Sequence, residues 1–234
     1  MHRRKVGFIA ASSTALAVML GIAWHVTAQD AKATYPSMAR LDQYLMEDPA
    51  SEIALARSAA PESISRDAEV LVLGRHGYQT AVKGKNGFVC IVERSWTATI
   101  DDPDFWNPKL RAPICFNGAA VRSFLPRTIR KTDLVLAGRT GPQMMEAIVA
   151  AIDKKELPVM EPGAMCYMLS KQGYLSSRDG HWHPHLMFFY SQTDPATWGA
   201  DLPGSPIIAF NDTREHLTTF LIPVRRWSDG TADQ

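Results

Sequence analysis

With 25 Lys and Arg against 24 Asp and Glu in 234 residues, the chain carries a formal net charge of +1 at pH 7 and has no long basic run. That balance argues against nucleic acid or an anionic membrane surface as its partner. A hydrophobic share of 46% is enough to build one sizeable core.

Residues 1–28 read as a secretory signal peptide. His2-Arg3-Arg4-Lys5 form a charged start, Val6 to Ala23 an apolar run, and Val26-Thr27-Ala28 a small-residue cleavage site. The run is about long enough to span a bilayer. Ala, Ser, Thr and Gly dilute it, so cleavage near Ala28 and a secreted or periplasmic destination are expected. No cysteine stands at the cut to take a lipid, and nothing later in the chain is long and apolar enough to span. Removal would take three cations and no anions, leaving 25 less 3, or 22, Lys and Arg against 24 Asp and Glu. In an oxidising compartment two of Cys90, Cys115 and Cys166 should be bonded, with one left over.

Residues 29–47 are expected to hold a flexible leader and a short helix, residues 48–228 a single α+β domain, and residues 229–234 a disordered tail. Asp48-Pro49 can cap and open a helix through about Ala59, which Pro61 closes. Glu69–Leu73, Tyr78–Lys83 and Phe88–Arg94 have strand character, and Asn86-Gly87 is a strong hairpin signal. A three-stranded antiparallel meander is predicted here. Asp101 to Pro113 reads as an ordered loop rich in Asp, Pro and Trp. Ala119–Leu125 and Thr128–Ala137 look helical, separated by Pro126, and Pro142 to Lys155 has the clearest helical pattern. There Met144, Met145, Ile148 and Ile152 form one stripe. Strands follow at Met165–Leu169, Leu186–Tyr190, Ile207–Phe210 and Leu217–Val224, the last two flanking an Asn211–Arg214 turn. Strands, then helices, then strands within one core length predict an antiparallel sheet with a helical middle segment.

Three histidines, His181, His183 and His185, fall within five residues. If that stretch is extended, alternation puts their rings on one face with Met187 next along it. Such a set suits copper or zinc, and Met187, Cys166, Glu215 or His216 could complete the sphere. Adjacent same-face positions lie about 7 Å apart, so three rings converge only if the strand bends, for which Pro184 or Gly180 offers a place. The bland alternative is a polar strand end with Trp182 and Pro184 packed inward. Trp182, Tyr190 and Trp198 could instead line a pocket for a small organic ligand. Cys166 with His185 is a conceivable nucleophile pair, but no cationic group stands near it in sequence to lower the thiol pKa.

Arg75-His76-Gly77, directly after a strand, resembles the Arg-His-Gly signature of the histidine phosphatases. That resemblance implies a phosphoryl-accepting His76 beside a charge-binding Arg75. In that family the motif runs into a helix, whereas here strand and turn signals follow. A wider resemblance is carried by Asn86-Gly87-Phe-Val-Cys90, Pro113-Ile-Cys115, Tyr167-Met168-Leu169 and Pro184-His185-Leu-Met187. His216-Leu217 and Pro223-Val224 complete it. The series is similar to a group of exported bacterial proteins with no assigned activity, and spans about residues 69 to 224. It implies a Cys90–Cys115 pair, in agreement with the compartment argument. A loop of about 25 residues closed in this way contributes roughly 3–4 kcal/mol through chain entropy. His185 belongs to that pattern; His181 and His183 do not.

The resulting expectation is a non-enzymatic envelope protein, with copper or zinc capture by His181, His183 and His185 as the most specific role. Small-molecule binding or a structural role without metal is the first alternative. An enzyme, either a metal-assisted hydrolase or a phosphatase, is the second.

Overall fold

The computed structural model describes residues 35–176 and 182–233. The predicted signal peptide, the start of the leader and His181 lie outside the described residues. Among the described residues eight strands build one sheet: β1 Glu69–Gly74, β2 Gly77–Val82, β3 Val89–Glu93, β4 Ala112–Phe116, β5 Met165–Met168, β6 His185–Ser191, β7 Ile208–Asp212 and β8 Leu217–Pro223. Their order is β2-β1-β3-β4-β5-β6-β8-β7, antiparallel except where β1 meets β3. Helices α3 Gly118–Ser123, α4 Leu125–Leu136 and α5 Gly141–Asp153 occupy the middle of the chain, after α1 Pro49–Arg57 and the single turn α2 Glu62–Ser65. This is the single-domain α+β architecture expected, with its helical middle segment.

The first three strands depart from the predicted meander. β1 and β2 do form a hairpin, closing at Gly74 opposite Gly77. β3 then crosses to the other side of β1 and runs parallel to it, with Glu69 opposite Val89 and Val70 opposite Cys90. Burial explains the order. Every residue of β3 is buried, whereas β2 is exposed along Gln79 to Ala81. A strand apolar on both faces belongs in the interior of a sheet, and the polar one takes the edge.

β4 begins at Ala112, inside the loop expected to run through Pro113. It is a central strand, and the proline is tolerated for a geometric reason. Cys90 and Cys115 stand opposite each other, bonded, with Cα atoms 4.0 Å apart. That closeness marks a non-hydrogen-bonded pair. Val92 and Pro113, two residues on, are paired in the same way, so the missing N–H does not face β3. It faces β5, whose ladder with β4 covers only Cys115–Tyr167 and Phe116–Cys166.

The helices cover both faces of this half of the sheet. Asp48 caps α1 by accepting from the N–H groups of Ala50 and Ser51, with Pro49 at the first helical position. α1 lays Leu55 and Ala56 on Val70, Cys90, Val92 and Cys115. Its Glu52 is buried with Arg94, at 2.9 Å from Nη2, and also accepts from the Leu73 N–H. The opposite face of the sheet receives α3 and α4. Pro126 lies in the first turn of α4, as suits a residue with no N–H to donate, and the break between α3 and α4 falls at Phe124 rather than at the proline. α5 opens on a Thr140–Gln143 capping box and buries Met144, Met145 and Ile148 beside Trp96 and Val135.

Tyr44 is fully buried and donates to the Trp106 carbonyl, so the residues before α1 are held against the domain. At the other end, residues 226 to 233 fold back through an Arg226–Ala232 bridge and the Asp233 N–H to the Arg225 carbonyl.

Candidate functional site

Strand alternation sends one set of side chains to the face beneath α4. These are Ile91 and Glu93 from β3, Ala112 and Ile114 from β4, Met168 from β5, His185, Met187 and Phe189 from β6, and Leu217, Thr219 and Leu221 from β8. The sheet curls strongly over this face. Thr128 of α4 donates to Glu93 on β3 at 3.1 Å, while Lys131, one helical turn on, lies 2.5 Å from Glu215 in the β7–β8 turn. β4, β5 and β6 stand between those two strands in the sheet. One turn of helix can reach both only if the sheet wraps around it.

Packing does not fill the space so formed. A cavity of about 610 Å³ lies between the curled sheet and α4, within the usual range for small-molecule sites. Its walls are mainly apolar, with Ile114, Phe124, Met187, Phe189 and Leu221 among them. The polar part is concentrated near α4. The buried side of that helix carries Arg127, Thr128, Lys131, Thr132 and Val135, so charged groups occupy positions that packing alone would give to apolar ones.

Glu215 is buried and takes Lys131 on Oε1 and Arg127 Nη1 on Oε2, the latter at 3.2 Å. The same Nη1 donates to the Glu215 carbonyl at 2.9 Å. Arg127 Nε is buried and has no partner among the described residues. Across the helix turn, Glu93 accepts from Thr128 and, at 3.3 Å, from Thr97. Burial pushes its carboxyl up to about 7, against the opposing pull of Thr128, Lys131 and Thr97.

His185 is buried in the wall. Its Nδ1 lies 2.8 Å from the His183 carbonyl, and a carbonyl only accepts, so Nδ1 carries the proton and Nε2 the lone pair. Burial lowers its pKa, which keeps the ring neutral, and Trp182 packs edge-on against it. Among the described residues Glu93 and His185 share no hydrogen bond: Glu93 is held by Thr128 and Thr97, His185 by the His183 carbonyl.

The other residues singled out by sequence are distributed as follows. His185 and Met187 share the cavity face, as alternation predicted. His183 precedes the strand, and its largely exposed ring pairs with Asp233 at 2.5 Å. The two rings thus sit in different surroundings, and among the described residues no three His, Cys, Asp or Glu side chains converge as a metal site. His216 is 3.8 Å from Asp153. Cys166 is buried opposite Met187, and burial, aided by the Glu93 charge, raises its pKa well above the ordinary thiol value. That is the reverse of what a nucleophile needs.

Tyr190 and Trp198 lie away from the cavity, packed with Phe220, whose ring stacks on Trp198 at 4.3 Å. Arg75 and His76 form the exposed β1–β2 turn, where Arg75 pairs with Asp42 and the chain continues directly into β2.

Sequence reasoning passed over Glu93, Arg127, Lys131 and the cavity itself. One signal was available. Counting by two from Val89 and Ile91 puts Glu93 on an apolar face, where an acid needs a reason to be.

No known protein family matches the chain, and neither a curated protein nor a solved structure is significantly similar to it. Among the described residues no helix is long and apolar enough to cross a membrane.

Proposed function

We propose that this protein binds a small, largely apolar molecule in the cavity between the curled sheet and α4. The observation that carries the reading is the unfilled space itself, about 610 Å³ walled by apolar side chains from five strands, with the polar face of α4 closing one end. Native cores close such gaps because each methylene left without contacts costs stability. A partly open cavity of this size that also gathers two buried arginines, a lysine and two glutamates has the composition of a ligand site. Export to the envelope, as the first 28 residues suggest, fits a carrier or sensor of such a molecule. A copper or zinc site at His181, His183 and His185 is a separate proposal that this reading does not use.

Thr219 lies on the cavity floor, and a larger side chain there would occupy the space. Titration calorimetry with decanol should show saturable, one-to-one binding to the native chain. Thr219→Phe should weaken that binding at least tenfold with an unchanged circular dichroism spectrum. Absence of saturable binding, or equal binding by the filled variant, would contradict the reading.

A further inference from the structure

We propose that the cavity's occupant is an amphiphile whose ionised carboxylate head docks on Arg127, with the apolar body running along β6 and β8. The inference rests on the cavity reading above and adds the chemistry of the head. Arg127 offers one edge to Glu215, through Nη1, and the edge that carries Nε remains. Among the described residues that line the cavity, Arg127 carries the buried side-chain atom left without a partner, this Nε, a donor. A buried donor without an acceptor is destabilising, and a ligand acceptor would recover that loss. The guanidinium fork matches a carboxylate, which it can hold through two parallel hydrogen bonds.

The charge pattern selects the sign of the head. Arg127 and Lys131 share the single carboxylate of Glu215, whose oxygens both already accept from them. Glu93 is engaged with Thr97 and Thr128 rather than with a cation. Asp102 and Asp212, also in the lining, accept from the Asp104 N–H and from the Arg214 and Glu215 N–H groups. An ammonium head would therefore find these acids engaged and cations beside it, whereas an anionic head finds an unpartnered donor. A carboxylate placed here would also keep the Glu93 proton in place, because two neighbouring anions raise each other's pKa. From this polar end the apolar wall continues along the β6–β8 pair through Phe189, Met187 and Leu221.

The test compares decanoate with decanol at neutral pH, below micelle-forming concentrations, on the native chain and on Arg127→Lys. The substitution keeps the charge that faces Glu215 and removes the fork. The expected result is decanoate binding at least tenfold more tightly than decanol, with that preference falling to near parity in Arg127→Lys while decanol affinity is unchanged. Equal binding of acid and alcohol by the native chain would overturn the head-group assignment and leave the cavity reading standing. A preference that survives Arg127→Lys would overturn it as well, since the head would then sit elsewhere. If neither compound binds, both proposals fall. Should Arg127→Lys not fold, the native comparison decides alone.

Discussion

Glu93 ends a strand that is buried along its whole length, and its carboxyl faces inward with the side chains of Val89 and Ile91. In the folded chain burial raises its pKa from 4.5 to about 7. The folded state therefore holds this proton more tightly than the unfolded chain does. Its contribution to stability is complete below about pH 4.5 and is lost as pH rises through about 7. At 1.36 kcal/mol per pKa unit the loss is about 3 kcal/mol at most. Glu93→Gln removes the titration while keeping an oxygen for Thr128. Urea unfolding should therefore show the native chain losing up to about 3 kcal/mol relative to Glu93→Gln between about pH 5 and about pH 8. Parallel pH profiles for the two proteins would count against a buried, proton-holding Glu93. The histidines were the visible residues in sequence because they cluster. His185 does reach the cavity wall, but the groups that set the character of the site are scattered over α4, β3 and the β7–β8 turn. In the linear sequence of α4, Arg127, Arg130, Lys131 and Asp133 are all simply charged residues on a helix, and nothing local tells which face turns inward.

At the scale of elements, periodicity and capping carried most of the information. Helix α5, with its proline in the first turn and its methionine stripe, lies within two residues of its predicted bounds. The partnership of strands was harder to read, because it depends on which strand is buried on both faces. Asn86-Gly87 looked like the decisive turn between β2 and β3. Gly87 does have a positive φ of 77°, but nothing stands within 4 Å of where its Cβ would be. The crossing of the chain to the far side of β1 depends more on Gly84, where a Cβ would lie 2.3 Å from the Glu69 backbone nitrogen. Backbone cannot move aside there without loosening the β1–β3 pair. Gly84→Ala should thus lower stability by about 1–3 kcal/mol, and by more than Gly87→Ala, whose cost is the left-handed conformation alone, about 1–2 kcal/mol. Denaturant midpoints of the two variants check the order, and a larger loss at Gly87 would contradict it.

For the whole molecule, the governing feature is curvature. An antiparallel sheet with one apolar face is legible from alternation, as the strands of the last third show. How far that sheet wraps is not, because it follows from long-range contacts: Thr128 with Glu93, and Lys131 with Glu215, two links from one helical turn to strands far apart in the sheet. A flatter sheet would press α4 onto its face and leave no space. Wrapped around the helix, it encloses a cavity with apolar walls and one polar end. That shape, rather than any short motif, is the basis for reading the protein as a binder of an amphiphilic small molecule.

The most direct measurement is a crystal structure of the protein grown with decanoate brominated at its terminal carbon, with the bromine located by anomalous scattering. The account predicts one ordered bromine among Met187, Phe189 and Leu221 under α4, with the carboxylate at Arg127. Bromine found only on the outer surface, with the space under α4 unchanged, would contradict it.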